Sequence, residues 1–317
     1  MKNYPSVSIV FPNHNGGVEP LECLLSIYNL DYPKRNVEVI VVDNNSTDGS
    51  LEQFKVQGSR FARIAARRAA RRAKFKVSGR RLKIIENKEN VGFAKAINQG
   101  INSSHGEFIF ITNDDIIFDK DSLRMLVEHL VTHPKVGIVG GKIFSKNKPS
   151  KVISCGYMMN KWTGNVYPSP SSDKVHTPDW IQGCAMLVLR KVIDKIGLLD
   201  EGFSLIYFED FDFCLRAKKA GYPIVYIPSA HFWHGQSITM DKDLPHKYYQ
   251  WYKNKLRFIA KNLPPLNILS MLLMQFALIT PFRALVLGDR RFVPFLKGLF
   301  WNIIHLPQTL EARRNMV

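Results

Sequence analysis

Three short apolar runs, Val7 to Phe11, Val37 to Val42 and Phe108 to Thr112, each stop in a polar cluster: Pro-Asn-His-Asn-Gly, Asp-Asn-Asn-Ser-Thr-Asp-Gly and Asn-Asp-Asp. A continuous run of that length is what a strand covered on both faces requires, and such strands belong to parallel sheets flanked by helices. Helical spacing lies between them at Leu21 to Leu30 and Phe93 to Ile101, and Leu82 to Ile85 reads as a further strand. The alternation predicts an α/β fold with a Rossmann-like, doubly wound, mostly parallel sheet. Ligands bind such sheets beyond the carboxyl ends of the strands, which is where the polar clusters fall.

A second signal lies between Ile181 and Ser237, where Glu209, Asp210 and Asp212 stand among Tyr207, Phe208, Phe211 and Phe213. Carboxylates in apolar surroundings are costly unless paired, metal-bound or functional. Lost hydration raises their pKa, which suits a general base for a hydroxyl nucleophile. A helix N-terminus also favours acids, so Asp212 is assigned to the helix start and Asp210 to chemistry. Asn113-Asp114-Asp115 places two carboxylates side by side, a repulsive arrangement unless a cation is near; hard oxygen ligands suit Mg²⁺ or Mn²⁺. The plainer reading is a polar turn into a helix at Ser122. Asp43 either accepts hydrogen bonds from a nucleobase or ribose or caps the next helix, and Asp48 is the plain cap. His234, after a strand, is either a metal ligand or structural.

The net charge is +17, and Lys55 to Lys83 contributes twelve Lys or Arg with no acid. Such an excess attracts phosphates, nucleic acid or an acidic membrane surface. Within it, Arg60 to Lys76 has helical spacing, with alanines on one face and Phe61, Ile64 and Phe75 among the arginines on the other. That mixture suits an anionic membrane surface. Leu266 to Leu287 is nearly long enough to span a bilayer, but Gln275, Pro281 and Arg283 argue against a span. With Phe292 to Leu306 it reads as two amphipathic helices lying on a membrane, or as a packing or oligomer surface. Cys23, Cys155, Cys184 and Cys214 show no C-x-x-C spacing, against structural zinc and for reduced thiols. The chain enters a strand pattern at once, so no signal peptide is expected, and the expected location is the cytoplasmic face of the cell membrane, peripheral or monotopic.

The order of the motifs is more specific than any one of them. Strand-Pro12-x-x-Asn15 is followed by strand-Asp43-x-x-Ser-x-Asp-Gly, Asn90-x-Gly92-Phe93-x-x-x-x-Asn98-x-Gly, strand-Asn113-x-Asp115, Gly183-x-x-x-x-x-x-Arg190, Asp200-Glu201-x-Phe203, Glu209-Asp210-x-Asp212 and His234. This resembles the family 2 glycosyltransferases of the GT-A fold, most of all the rhamnosyltransferase-like branch, over roughly residues 5 to 240 and more loosely at Tyr248 to Asn254. The resemblance implies a GT-A domain over 1–240; the basic insert at about 55–81 and a helical, apolar, membrane-associating region over 241–317 are departures from it, expected from composition and hydropathy.

By the same resemblance, Pro12, His14, Asn15 and Asp43 contact the nucleoside of a UDP-, dTDP- or GDP-sugar. Asn90, Gly92, Phe93, Asn98, Asn113 and Asp114 lie along the nucleotide-sugar. Asp115 and His234 hold Mg²⁺ or Mn²⁺, Asp210 is the base with Glu209 beside it, and Trp180 and Gly183 lie on the acceptor side. The implied reaction is an inverting transfer to a hydroxyl of a glycan or lipid-linked glycan, without nucleic acid as a partner. His14 stands where the family commonly has Tyr, and the insert is longer than the family's usual spacer. A sugar nucleotidyltransferase would carry a basic residue in its first glycine-rich loop, and Pro-Asn-His-Asn-Gly-Gly has none. A non-enzymatic polyanion-binding protein leaves the carboxylates unexplained.

Overall fold

The computed structural model describes residues 4–56, 82–170, 173–235, 243–274, 282 and 291–315. The basic insert lies almost wholly outside the described residues, as does most of the stretch from Gln275 to Arg290.

Apolar composition decides the centre of the sheet. β1 (Val7–Asn13), β2 (Val37–Asp43), β3 (Leu82–Glu86) and β4 (Phe108–Thr112) run parallel in the order β3-β2-β1-β4. Alternate residues serve opposite faces, as strand geometry requires. Val10, Ile40 and Ile111 point to one core cluster; Ile9, Val41 and Phe110 point to the other. Helices α1 (Glu19–Tyr28) and α3 (Ser122–Thr132) cover the second face, and α2 (Phe93–Asn102) covers the first.

The other half of the sheet is mixed. β10 (Ala185–Leu189) lies antiparallel between β4 and β6 (Ile138–Ser145), and β11 (Ile224–His234) pairs parallel to β6. β11 also pairs antiparallel to the short β5 (Ile116–Phe118), while β7 (Val152–Ser154) lies on the edge of β6. Register shifts between Ile227 and His231, on either side of Pro228, whose ring nitrogen has no hydrogen to donate to the ladder. The strand resumes and delivers His234 opposite Ile116. Lys146 to Pro178, expected as loops or an irregular hairpin, contains β7 and the hairpin of β8 (Tyr157–Met159) with β9 (Val166–Pro168). α4 (Arg190–Ile196) and α5 (Glu209–Lys219) join α2 on the first face.

The C-terminal helices are α6 (Leu244–Asn262), α7 (Pro265–Leu273), α8 (Phe292–Ile304) and α9 (Leu306–Arg314). Among the described residues no helix is long and apolar enough to cross a membrane. α6 is packed into the first core cluster through Phe258 and Ile259. It is bound there by a buried ionic network. Asp212, fully buried, accepts from Arg216 Nε at 2.9 Å, Lys261 Nζ at 2.8 Å and Asn262 Nδ2 at 2.9 Å. Lys261 Nζ reaches Asp200 at 2.7 Å, and Arg257 reaches the same carboxylate at 3.2 Å. Arg216 also donates to the carbonyls of Ile196 and Leu198. Asp212 thus sits near the helix start, as expected, but its partners are cations of two helices.

Removing one member of a buried ionic network leaves the others charged and dry, at a cost of about 3–5 kcal/mol. Asp212→Ala is expected to destabilise the protein by that amount, read as a fall in the denaturant midpoint. An unchanged midpoint would mean that α6 is held by apolar packing alone.

Candidate active site

The polar clusters converge because register brings the strand ends together. Asn13 and Asp43 are paired Cα partners, and Asn13 Nδ2 donates to Asp43 Oδ1 at 2.6 Å. Asp43 also accepts from the Ser46 amide at 2.9 Å and the Ser46 hydroxyl at 2.6 Å, so its carboxylate braces the loop that follows β2. His14 Nδ1 lies 2.8 Å from the Asn44 carbonyl, and Asn15, at φ 54°, accepts from the Thr47 amide at 2.7 Å. Both side chains are exposed beside half-buried Pro12. Asp48 accepts from the Ser50 amide and hydroxyl at the start of the helical stretch 50–56, the expected cap.

The loop before α2 faces a second loop from the far half of the chain. Asn90 Oδ1 accepts from the Gly92 amide at 3.0 Å and from Asn44 Nδ2 at 3.2 Å. Gly92 has φ +82°, and a Cβ there would meet the Leu205 backbone nitrogen at 3.0 Å, so both conformation and space require glycine. Phe93 donates its amide to the Leu205 carbonyl at 2.9 Å and lines the cleft with its ring. Asn98 does not face the cleft. It is buried, donates to the Leu199 carbonyl and Glu201 at 2.9 Å, and accepts from the Leu199 amide.

Leu205, Tyr207 and Phe208 all have positive φ, at 63°, 80° and 72°. Residues with side chains avoid that region, and such strain persists only where surroundings impose it. Here the constraint is Asn254 on α6. Its fully buried amide nitrogen donates to the carbonyls of Ile206 at 2.7 Å and Tyr207 at 3.1 Å, with Ser204 at 3.3 Å. Lys253 adds a bond to the Ser204 hydroxyl and lies over the rings of Tyr249 and Trp301. Burial and the Arg257 charge push its pKa down to about 8.

The strained loop launches α5, whose first residues are Glu209 and Asp210. Asp210 Oδ2 accepts from the Gly183 amide at 2.9 Å, and Oδ1 from the Phe211 amide at 2.8 Å. Gly183 therefore holds Asp210 through its backbone. Trp180 stands in a ring stack: Tyr157 to Trp180 at 4.7 Å, Trp180 to Phe211 at 4.4 Å, and Phe211 to Phe258 at 4.3 Å. These apolar walls strip water from both acids. Burial and the adjacent Asp210 charge push Glu209 far above the ordinary carboxylate range. Burial also raises Asp210, while the Gly183 and Phe211 amides pull it back. Both acids are therefore harder to ionise than ordinary carboxylates, and the two backbone amides favour the charged form of Asp210 over that of Glu209.

At the end of β4, Asp115 is buried and both its carboxylate oxygens lack hydrogen-bond partners. Its Oδ1 lies 3.2 Å from His234 Nε2, also without a hydrogen-bond partner. Uncompensated buried acceptors facing an imidazole nitrogen fit a divalent cation. Among the described residues no group of three or more His, Cys, Asp and Glu is disposed to hold one. The pair would supply only part of a coordination shell, as is usual where Mg²⁺ keeps water and phosphate ligands. Burial and Asp115 raise the neighbouring Asp114 well above its ordinary value.

A cleft of about 630 Å³ opens beside the acid pair and His234; the strand-end residues Pro12, His14, Asn15 and Asp43, and Asp115, are not among those that line it. Asn113, His234, Trp180, Gly183, Glu209 and Asp210 line it, together with Lys247, Tyr248, Trp251, Tyr252 and Arg291 from the C-terminal region. Asn254 and the αL loop had no separate signal in the sequence beyond the Tyr-Tyr-x-x-x-x-Asn spacing.

An α/β sheet with strand-end polar loops, a carboxylate pair in an aromatic cleft and an orphaned Asp–His pair define a glycosyltransferase of GT-A fold. Residues 8–197 match Glycosyl transferase family 2, and residues 108–310 match Glycosyl transferase family group 2. The chain belongs to glycosyltransferase family 2. A probable glycosyltransferase of Bacillus subtilis (strain 168), YdaM, is 25% identical over 268 residues, covering 83% of this chain and 56% of that protein. The N-acetylglucosaminyl-diphospho-decaprenol L-rhamnosyltransferase of Mycobacterium tuberculosis (strain ATCC 25618 / H37Rv) is 24% identical over 256 residues, 72% of this chain and 76% of that one. Thus the chain spans little more than half the length of YdaM. The mannosyltransferase PcManGT from Pyrobaculum calidifontis, solved with GDP-Man and Mn²⁺, superposes with a TM-score of 0.55 at 18% identity, covering 96% of this chain and 76% of that one. That likeness shows the fold.

Freeing the strained loop should misplace α5. Asn254→Ala is expected to lower stability by about 1–3 kcal/mol, the cost of stranding buried carbonyls. Turnover should fall by at least about tenfold, more than the unfolded fraction accounts for. Turnover that tracks the folded fraction would show that the loop keeps its shape without this amide.

Proposed function

We propose that the cleft transfers a sugar from a nucleotide-sugar donor to a hydroxyl of a glycan or lipid-linked glycan, in the synthesis of cell-surface polysaccharide or glycoconjugate, with inversion. The observation that carries this reading is the placement of Asp210: its carboxylate lines an aromatic cleft beside Glu209 and is fixed there by the Gly183 and Phe211 amides. Asp210 removes the proton of the acceptor hydroxyl as its oxygen bonds to the anomeric carbon. The bond to the nucleoside diphosphate breaks on the opposite face, and its electron pair leaves with the phosphate oxygen. One base suffices, in contrast to the two carboxylates of glycoside hydrolysis.

Asp115 and His234 would hold a Mg²⁺ or Mn²⁺ ion, which supplies charge neutralisation for a leaving diphosphate. Support comes from the orphaned oxygens and from the Mn²⁺ in the PcManGT complex. The strand-end loops with Pro12, His14, Asn15 and Asp43 form the nucleoside side, with Asn90, Gly92, Phe93, Asn113 and Asp114 toward the sugar. Trp180 and Gly183 form the acceptor wall. Asn98 acts through the loop 199–201 it anchors, not by touching donor.

The C-terminal helices suit peripheral attachment to an anionic membrane, with the catalytic domain over 1–240 on its cytoplasmic face and 241–317 against it. α8 exposes Phe292, Leu296, Phe300 and Ile303 in one stripe, and α7 exposes Leu266, Leu269 and Leu273 in another. A Phe300→Asp, Ile303→Asp variant is expected to lose flotation with anionic vesicles without a change in unfolding midpoint. Unaltered flotation would remove this face from membrane binding.

Purified protein with Mn²⁺ and a panel of UDP-, dTDP- and GDP-sugars, with lipid-linked acceptors added, should release nucleoside diphosphate from one donor. Asp210→Asn is expected to reduce transfer by about 10²–10⁴-fold while keeping nucleotide binding. Because the pKa of Asp210 is raised, the base is lost as pH falls through a value above the ordinary aspartate range, and kcat/KM should decline there. Asp115→Ala should abolish the Mn²⁺-dependent part of nucleotide affinity in calorimetry. Near-normal transfer by Asp210→Asn would remove it as base, and unchanged Mn²⁺ dependence would remove Asp115 as ligand.

A further inference from the structure

The cleft is lined by both signs of charge. Glu209 and Asp210 are the acids among its lining residues, and Lys247 and Arg291 line it beside Tyr248, Trp251 and Tyr252. The two cations come from different elements, Lys247 from the first turns of α6 and Arg291 from the N-cap of α8. The Arg291 guanidinium lies over the Tyr248 ring at 5.6 Å. Arg291 also adjoins the apolar stripe: the next residue, Phe292, starts the exposed row that runs through Leu296, Phe300 and Ile303.

Two cations lining the cleft, one of them directly followed by an exposed apolar row, match a ligand with an anionic head and an apolar tail. A neutral, soluble glycan would use neither feature. We propose that Lys247 and Arg291 bind the phosphate of a lipid-linked acceptor, whose lipid chain leaves along the exposed face of α8. This deepens the transfer reading above and rests on it: the sugar attached to that phosphate then projects inward toward Asp210. Arginine and lysine suit the role because charge-assisted bonds to phosphate are the strong ones and the guanidinium can take two oxygens. The donor diphosphate belongs with a different set of residues, Asp115 and His234.

The test uses the full chain with farnesyl diphosphate and farnesol as probes, in EDTA so that no cation recruits the diphosphate to Asp115. Binding is followed by tryptophan fluorescence, Trp251 being among the lining residues. Farnesyl diphosphate is expected to bind at least about tenfold more tightly than farnesol, and Lys247→Gln with Arg291→Gln to erase that difference. Asp115→Ala should leave farnesyl diphosphate binding in place. If the double variant unfolds more easily than the parent, Lys247→Gln alone is read, with a smaller loss of the same difference expected. A preference for the diphosphate that survives these substitutions overturns the proposal, as does one that disappears in Asp115→Ala, since the phosphate would then sit on the donor side. Mn²⁺-dependent binding of UDP- or GDP-sugars is measured on the same preparations. Its absence from the parent protein, with the farnesyl diphosphate pattern intact, would support the site at Lys247 and Arg291 and overturn the donor reading instead.

Discussion

A carboxylate with no exposed surface, Asp212, joins α5 to α6. Its helix follows the strained loop, and its partners Lys261 and Asn262 lie at the end of α6. Arg216 serves only Oδ2, so without α6 the Oδ1 atom would be left dry and unpartnered, which favours the helix that starts the C-terminal region lying where it does. From that placement follow the rest: Phe258 completes the ring stack that walls the acids, and Asn254 reaches the carbonyls of 206 and 207. The geometry of Asp210 is set by a helix about forty residues away in sequence.

The acid pair shows how one dry environment treats two neighbours differently. Glu209 has no hydrogen-bond donor for its buried Oε2, and burial pushes its pKa well up. Asp210, one residue on, receives two backbone amides that pull against the same burial, and it opens on the cleft. Backbone donors cannot be seen by counting acids in a sequence, yet they favour the charged form of one member over the other.

Much of the donor half was legible because it is written in contiguous residues. Buried strands end in polar turns, and parallel register then forces Asn13, Asp43 and Glu86 into neighbouring positions. The motif order named the family, and the match over 8–197 bears it out. Less legible was whatever depends on distant contacts. β10 reads as one apolar stretch among several, and nothing local says that it runs antiparallel between β4 and β6. Asn98, which the family resemblance sets along the nucleotide-sugar, is turned by helical rotation toward the loop 199–201. Asp212 and Asp210 look equivalent by composition; two residues of helical rotation send one into the network and the other to the cleft.

Gly92 and Leu205 touch backbone to backbone, and the Phe93 amide bonds the Leu205 carbonyl. That seam has a temporal side. A polypeptide emerging amino end first can assemble β1 to β4 and present one bank of the seam long before the opposite bank is made. The opposite bank stays unclasped until Asn254 arrives. The cleft is therefore complete only once α6, made after both banks, has docked.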